Sequence, residues 1–291
     1  MVFSDSLSCQ VEENVSLAAY SWLRIGGTAR YFVEVSSMGD LSVLVADASK
    51  MKLPIRVLGG GSNLLIREGT VDALVIKLAG DFSTVERAAT RVTAGSAATL
   101  GDLLSYCAEQ GLGGLEALAG IPGTVGAAVV SNSGVKNDDI GSRVHQVHAI
   151  LASGESKTLT RDDLRFGYRR SSVEGAIITS VELELEEHSP EEVTRRLQNA
   201  WIVKKAAQPP VGDPVAQAFI EPSGTNIAQL LESAGMKGAS EGSALMLTKY
   251  PGYMTITEDA KSDDVLALTN RIAKAVEVQT GIQLQPQLKI W

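Results

Sequence analysis

The stretch LGGGSNL, residues 58–64, decides the fold of this chain. It follows the apolar run 55–58, which predicts a strand that leads into a glycine turn. A Rossmann turn would start a helix at once, with the helix N-terminus facing a pyrophosphate. Here residues 64–66, LLI, predict further strand, so a Rossmann domain is excluded. Successive glycine amides can instead form a concave nest for phosphate oxygens, although for this stretch alone a tight hairpin is the simpler interpretation.

A second glycine cluster, AGIPGTVGAA at residues 119–128, changes that interpretation. Gly120, Gly123 and Gly126 recur at three-residue spacing around Pro122. So many small residues add little packing per residue, which is unlike ordinary core. They suit backbone that lies flat against a large ligand, and Asn132 follows with a side chain able to bond a heterocycle. Two such loops, about sixty residues apart, predict a dinucleotide held mainly by main chain.

Composition narrows the functional class. With 291 residues, 44% of them hydrophobic, the chain can bury a full core in two or three domains. A formal charge of −8 argues against nucleic acid as the main partner but leaves room for a positive pocket. Cys9 and Cys107 lack disulfide or zinc spacing, and no metal site is expected. The start MVFSDSLSCQ has no signal-peptide pattern and no apolar run suits a membrane, so we expect a cytoplasmic protein.

The pattern of apolar residues predicts an α+β fold. Helices are expected after Ser37, after Thr99, from Pro190 to about Lys205, over 226–234, and from Ser262 to Gly281. Strands are expected at 74–78, 91–93, 144–151, 177–185 and 283–291. Cys107 falls on the apolar stripe of the second helix, which favours a buried structural thiol. The break at Pro209-Pro210 is the best boundary signal between a larger and a smaller part.

Several short segments together resemble one family over nearly the whole chain. They are Arg24–Gly27, Leu58–Leu64, Gly114–Glu116, Ala119–Gly126, Gly167–Arg169, Gln208-Pro209 and Ala234–Gly238. They are similar to the UDP-N-acetylenolpyruvoylglucosamine reductase (MurB) family, whose first part is an FAD-binding domain of the vanillyl-alcohol-oxidase (PCMH) type. The resemblance implies an FAD-binding domain at 1–207, with subdomains at about 1–73 and 74–207. A substrate domain at 208–282 and a strand at 283–291 that returns toward the flavin would follow.

The resemblance also implies which residues bind the cofactor and which act on a small-molecule substrate. FAD would be held non-covalently, since the histidines and cysteines lie outside the glycine loops, and NADPH is the electron donor implied. The family's catalytic positions fall on Arg169, which steadies a substrate carboxylate, with Tyr168 beside it, and on Gln217 and Gln287. The cofactor set is Leu58, Gly59, Gly60, Gly61, Ser62, Asn63, Leu64, Ala119, Gly120, Ile121, Pro122, Gly123, Thr124, Gly126, Ala127 and Asn132.

The chain departs from the family on the substrate side. Gln217 stands where the family has its proton-donating serine, and Gln287 stands where it has a glutamate. An amide has no titratable proton, and losing a positioned general acid typically costs about 10²–10⁴-fold in rate. Ile220 and Glu221 replace a lysine and an asparagine, which predicts negative charge near an anionic diphosphate. In the stretch LTKYPGY, residues 247–253, only Lys249 keeps the family residue.

Three hypotheses follow from this pattern. The first is a MurB-like flavin oxidoreductase that acts on a small carboxylate- or carbonyl-bearing substrate other than the UDP-sugar. The second is a working reductase whose proton comes from water or from Tyr250 or Tyr253. The third is a flavin-binding protein without catalysis. The sequence does not indicate the oligomeric state.

Overall fold

The computed structural model describes residues 3–135, 138–151, 153–173, 175–210, 214–222, 224–257 and 259–291. The described chain forms two compact units, each built from discontinuous segments. The first unit contains Met1–Glu13, Arg30–Gly60 and Asp72–Lys204. The second unit contains Asn14–Ala29, Gly61–Val71 and Lys205–Trp291.

Helices and strands alternate along the described chain. The helices are α1 Met38–Lys50, α2 Leu100–Glu109, α3 Val125–Val130, α4 Pro190–Ala207, α5 Ile227–Ser233 and α6 Ser262–Thr280. The strands are β1 Glu12–Ser16, β2 Thr28–Val35, β3 Ile55–Leu58, β4 Leu64–Leu65, β5 Thr70–Leu78, β6 Val85–Ala88, β7 Arg91–Gly95, β8 Leu112–Gly113, β9 Gly134–Val135, β10 Asp138–Asp139, β11 Val144–Ile150, β12 Ser156–Thr160, β13 Phe166–Gly167, β14 Arg170–Ser171, β15 Ile177–Glu184, β16 Glu186–Glu187, β17 Val215–Gln217, β18 Ser240–Glu241, β19 Ala244–Met246, β20 Tyr253–Ile256 and β21 Lys289–Ile290.

Side-chain caps explain where three of the helices begin. The Ser37 hydroxyl accepts a hydrogen bond from an N–H in the first turn of α1, Thr99 does the same for α2, and Asn226 for α5. Gly281 ends α6 in the left-handed conformation, at φ 73°. These ends confirm the helices predicted from apolar spacing and capping residues.

The first unit has two separate cores, each packed against a sheet. One sheet has the order β1-β2-β5-β3, with β3 parallel to β5, and packs with α1 around one core. The other has the order β12-β11-β15-β7-β6 and is antiparallel throughout. Its core takes in α2 and α3, including Leu103 and Cys107. Burial raises the pKa of the Cys107 thiol to about 12, which confirms a buried structural thiol.

The second unit is built on the antiparallel sheet β17-β20-β19-β18 with α5 and α6. The predicted stripe of α6, Val265, Leu268, Ile272 and Val276, is fully buried in its core. Within the described residues, no helix is both long and apolar enough to cross a membrane.

Among the differences from the sequence predictions, two concern the end of the chain and α3. Strand structure near residue 290 is limited to β21, which pairs in parallel with β4, whereas 283–291 was predicted as one strand. Pro286 lacks an N–H and forms only an isolated bridge with Phe219, so a ladder cannot continue through it. The second difference is α3, which was not predicted because VGAAVV is too short to display a helical repeat.

Candidate functional site

Close contact between the two glycine loops defines the candidate site of the first unit. A Cβ on Gly60 would lie 2.8 Å from Gly123 Cα, so the backbones touch there and only glycine fits. A Cβ on Gly59 would lie 2.9 Å from Ala127 Cβ and 3.0 Å from Thr124 Oγ1. The residues of 58–60 and 119–127 that were predicted to act together therefore lie side by side.

Backbone hydrogen bonds hold the second loop in place. The Gly123 carbonyl accepts from the Leu100 N–H at 3.0 Å, and the Gly126 N–H donates to the Ser96 carbonyl at 2.9 Å. Leu58 and Ala119 are buried beneath the loops, whereas Gly60, Gly120 and Pro122 are exposed, and Ile121 packs partly against the core. The loops are thus anchored by buried residues and expose glycine backbone at their surface.

The residues present fit a ligand bound by main chain. In the described part of the chain, the N–H groups of Gly60, Gly120 and Gly123 donate to no protein acceptor. The Ser96 hydroxyl, next to Gly126, is buried without a hydrogen-bond partner among the same residues. Free donors on two touching glycine loops are what a dinucleotide diphosphate requires, so the loops fit FAD.

The rest of the first glycine stretch belongs to the second unit. Gly61 has φ 67°, and a Cβ there would lie 1.8 Å from the Tyr20 carbonyl oxygen. Ser62, Asn63 and Leu64 are half-buried. The Lys289 N–H donates to the Asn63 carbonyl at 3.0 Å, at the start of the β4–β21 pairing.

Tyr168 and Arg169 form the tip of a two-residue hairpin in the first unit. Gly167 pairs with Arg170 at its base. Arg169 adopts φ 57°, a left-handed conformation that costs a non-glycine residue of order 1 kcal/mol and is retained mainly where function requires it. Its guanidinium carbon lies 5.9 Å from the centre of the Tyr168 ring. Tyr168 is exposed and Arg169 is half-buried, so the tip presents one cation and one phenol.

Asn132 is placed against this hairpin, with its hydrogen bonds made inside the protein. Its amide nitrogen donates to the Gly167 carbonyl and to the Asp139 carboxylate, both at 2.9 Å. Its amide oxygen accepts from the Gly141 N–H at 3.0 Å. The side chain, 3% exposed, has one acceptor lone pair left for a cofactor, which is less than its predicted binding role assumed. It fixes the base of the Tyr168–Arg169 turn, and its cofactor-binding role stays a prediction.

Gln217 and Gln287 lie on neighbouring segments of the second unit. Gln217 ends β17 opposite Tyr253, and the Gln287 N–H donates to the carbonyl of Ala218 at 2.9 Å. Both side chains are half-buried. The Gln287 side-chain oxygen is buried with no hydrogen-bond partner among the described residues. An orphaned acceptor of this kind costs about 1–3 kcal/mol.

Two other substituted segments of the second unit have partners within it. The Glu221 carboxylate accepts a hydrogen bond from the Ile227 N–H at 2.9 Å, at the first turn of α5. Its charge therefore has a structural use that the sequence did not reveal. In the 247–253 stretch, the Leu247 N–H donates to the Tyr253 carbonyl, and the Lys249 ammonium lies 5.1 Å from the centre of the Tyr250 ring.

Sequence reasoning missed Lys204, which lies on α4 in the first unit. Burial, followed by the positive charge of Arg169, lowers the pKa of Lys204 to about 8. Its only sequence signal was its position, three residues after Trp201 near the end of the predicted charged helix.

Two family models match the chain. Residues 29–160 match the FAD binding domain, and residues 209–291 match the UDP-N-acetylenolpyruvoylglucosamine reductase C-terminal domain. The chain is 38% identical over 290 residues to UDP-N-acetylenolpyruvoylglucosamine reductase of Rhodopirellula baltica, covering 99% of this chain and 95% of the relative. It is 32% identical to UDP-N-acetylenolpyruvoylglucosamine reductase 2 of Symbiobacterium thermophilum, covering 94% of this chain and 90% of the relative.

Similarity extends to a solved structure. The crystal structure of UDP-N-acetylenolpyruvylglucosamine reductase (MurB) from Thermus caldophilus superposes with a TM-score of 0.83 at 31% identity, covering 97% of this chain and 99% of that one. The PCMH-type FAD-binding domain and the MurB-type C-terminal domain predicted from the sequence are confirmed. The chain belongs to the UDP-N-acetylenolpyruvoylglucosamine reductase (MurB) family and is an FAD-dependent oxidoreductase.

Proposed function

We propose that this enzyme exchanges hydride with a small carboxylate- or carbonyl-bearing substrate other than the enolpyruvyl UDP-sugar. The observation that carries the proposal is the pair Gln217 and Gln287, which stands where the family has a proton donor and a carboxylate. Substrate dehydrogenation, which needs no protonation of carbon, tolerates both amides. Bound FAD would supply the two-electron chemistry.

The chain's own residues would bind and orient the substrate. Arg169, held in a strained turn, would bind the carboxylate or polarise a carbonyl, and the exposed Tyr168 would donate a hydrogen bond. The orphaned oxygen of Gln287 would accept a hydrogen bond from a substrate hydroxyl or amine. The Gln217 amide would both donate and accept without supplying a proton.

The predicted cofactor residues are part of the proposal. Residues 58–64 would hold the FAD diphosphate, and residues 119–127 would lie along the flavin and its ribityl chain. The touching of Gly60 and Gly123 supports this assignment, because it exposes main-chain donors with no side chain in between. NADPH as electron donor, the domain boundaries at 207 and 282, and a cytoplasmic location stay predictions.

A second candidate is the UDP-sugar reductase itself. Relatives that carry this name are 38% and 32% identical over nearly the whole chain, and Arg169 and Lys249 are kept. The proton would then come from water, Tyr250 or Tyr253. Three altered positions would have to be bypassed, which is why this candidate ranks second.

Anaerobic flavin reduction separates the candidates. We expect the enolpyruvyl UDP-sugar to reoxidise the NADPH-reduced enzyme slowly. The rate should be at least about 100-fold below that of an enzyme with a positioned general acid. One or more small hydroxy acids or amino acids should bleach the oxidised flavin. Ordinary turnover of the UDP-sugar would exclude the proposed function, and a flavin that neither NADPH nor any substrate reduces would indicate a non-catalytic flavoprotein.

The double variant Gln217→Ser, Gln287→Glu tests the carrying observation directly. We expect it to gain UDP-sugar reduction, because it restores both the hydroxyl and the carboxylate. The matched control is Gln285→Glu, which makes the same change at an exposed position two residues away. If the wild type reduces the UDP-sugar at an ordinary rate and the double variant is no faster, the second candidate is correct.

A further inference from the structure

Lys204 packs against the second glycine loop in an unusual way. Its aliphatic stem lies over Gly120, where a Cβ would be 3.7 Å from Lys204 Cδ and 3.8 Å from its Cβ. Its ammonium has one hydrogen bond, to the Ala117 carbonyl, and this is long at 3.5 Å. The stem is therefore well packed while the charge is weakly satisfied.

Arg169 is a second cation that acts on Lys204 electrostatically. The positive charge of Arg169 helps to lower the pKa of Lys204, so the two side chains act on each other. In the described part of the chain, no carboxylate forms an ion pair with either residue. Arg196, on the same helix, contrasts with them because it pairs with Glu192 and Glu116.

Two partly buried cations without a counter-ion are unfavourable in the free protein. Arg169 adds backbone strain to this cost. Such an arrangement persists where a ligand supplies the missing charge. The exposed loop surface at Gly120 leaves space for that ligand beside the Lys204 stem.

We propose that Lys204 binds one anionic group, a carboxylate or a phosphate, at the surface of residues 117–120. Two sources have this chemistry: the diphosphate of FAD and the carboxylate of a substrate. The carboxylate source rests on the proposed function, whereas the diphosphate source does not. In either case Lys204 is a ligand-binding residue in addition to those matched to the family.

Charge removal at Lys204 tests both sources in the holoenzyme. Flavin release on dilution, followed by flavin fluorescence, measures FAD retention. Oxalate, a carboxylate probe that is not turned over, is titrated against the visible flavin absorption and the melting temperature. We expect Lys204→Gln to weaken one of the two ligands by roughly 10- to 100-fold, as for the loss of a charge-assisted hydrogen bond. Lys204→Arg should retain most of the affinity.

The matched control is Arg195→Gln, which removes one positive charge from an exposed position on the same helix. Weaker FAD retention identifies the diphosphate as the anion, and weaker oxalate binding with normal FAD retention identifies the substrate carboxylate. If Lys204→Gln behaves like Arg195→Gln in both assays, the inference is wrong. Because oxalate binding is measured without turnover, failure of the proposed reaction would leave this result readable.

Discussion

The glycine loops of the first unit carry the family resemblance, whereas in the Gln217–Gln287 region of the second unit two amides stand where the resemblance predicts a serine and a glutamate. The loops keep the pattern, and their contact at Gly60 and Gly123 depends on backbone alone. Gln217 and Gln287 lie on segments that pair at Ala218, and their side chains differ from those that the resemblance predicts. The structure of the loops depends on positions without side chains. The chemistry of the Gln217–Gln287 region depends on which side chains are present.

Under the proposed function, the difference teaches how a flavoenzyme can change its reaction without losing its cofactor. Where the backbones of two loops touch, an added Cβ would clash with the opposite loop. Few substitutions are therefore compatible with the fold at such positions. A side chain at the end of a strand can be replaced by another of similar size with little effect on packing. Chemistry on the second unit is therefore free to change while FAD binding is retained.

The largest expected effect comes from breaking the loop contact. Gly60→Val should weaken FAD retention roughly 100-fold or more, because its Cβ would lie 2.8 Å from Gly123 Cα and force the loops apart. Flavin fluorescence on dilution measures the loss. Gly39→Ala in α1, where a Cβ meets nothing closer than 3.9 Å, is the control and should retain FAD. A yellow Gly60→Val enzyme of normal affinity would contradict a main-chain site.

Asn132→Ala should lower the free energy of unfolding by roughly 2–3 kcal/mol, because it leaves the buried Gly141 N–H without its partner and frees the base of the Arg169 hairpin. Urea unfolding measures this change. Asn199→Ala, at an exposed position on α4, should be neutral or slightly stabilising. Equal stability of the two variants would show that the Asn132 hydrogen bonds contribute little.

Lys204 gives a pH dependence of definite sign. Its folded-state pKa of about 8 is below its ordinary 10.5, so between these values the folded protein binds fewer protons than the unfolded one. The free energy of unfolding should therefore rise with pH in this window, by on the order of 1–2 kcal/mol after allowance for partial exposure. Lys204→Met should remove the rise and be more stable than wild type at pH 7. Parallel stability curves for wild type and Lys204→Met would contradict the buried-cation interpretation.

The smallest expected effect concerns Glu221. Glu221→Gln should destabilise the protein by about 1 kcal/mol, because the carboxylate at the first turn of α5 accepts the Ile227 N–H and favours the helix dipole. Thermal unfolding measures it, with Glu232→Gln on the exposed face of α5 as the control. A gain in affinity for the enolpyruvyl UDP-sugar, with unchanged stability, would instead support the charge repulsion predicted from the sequence.

The parts of the fold that depend on neighbouring residues in the chain could be predicted from the sequence alone. Capping residues and apolar spacing located α1, α2, α5 and α6, and strand after Asn63 excluded a Rossmann turn. The contact of Gly60 with Gly123 and the hydrogen bonds of Asn132 join residues far apart in the chain, so no local pattern contains them. Lys204 was missed for the same reason, since its pKa depends on burial and on Arg169.

The parallel pairing of β21 with β4 has a consequence for biosynthesis. Leu65 leaves the ribosome 225 residues before Ile290, its partner in the pairing. At about 5–20 residues per second, the nascent polypeptide waits roughly 10–45 s for that partner. During this interval the strand edge beside the cofactor loop is open to incorrect pairing. Folding of the second unit is therefore completed late in translation. Until then, a bound chaperone would protect the unpaired strand edge.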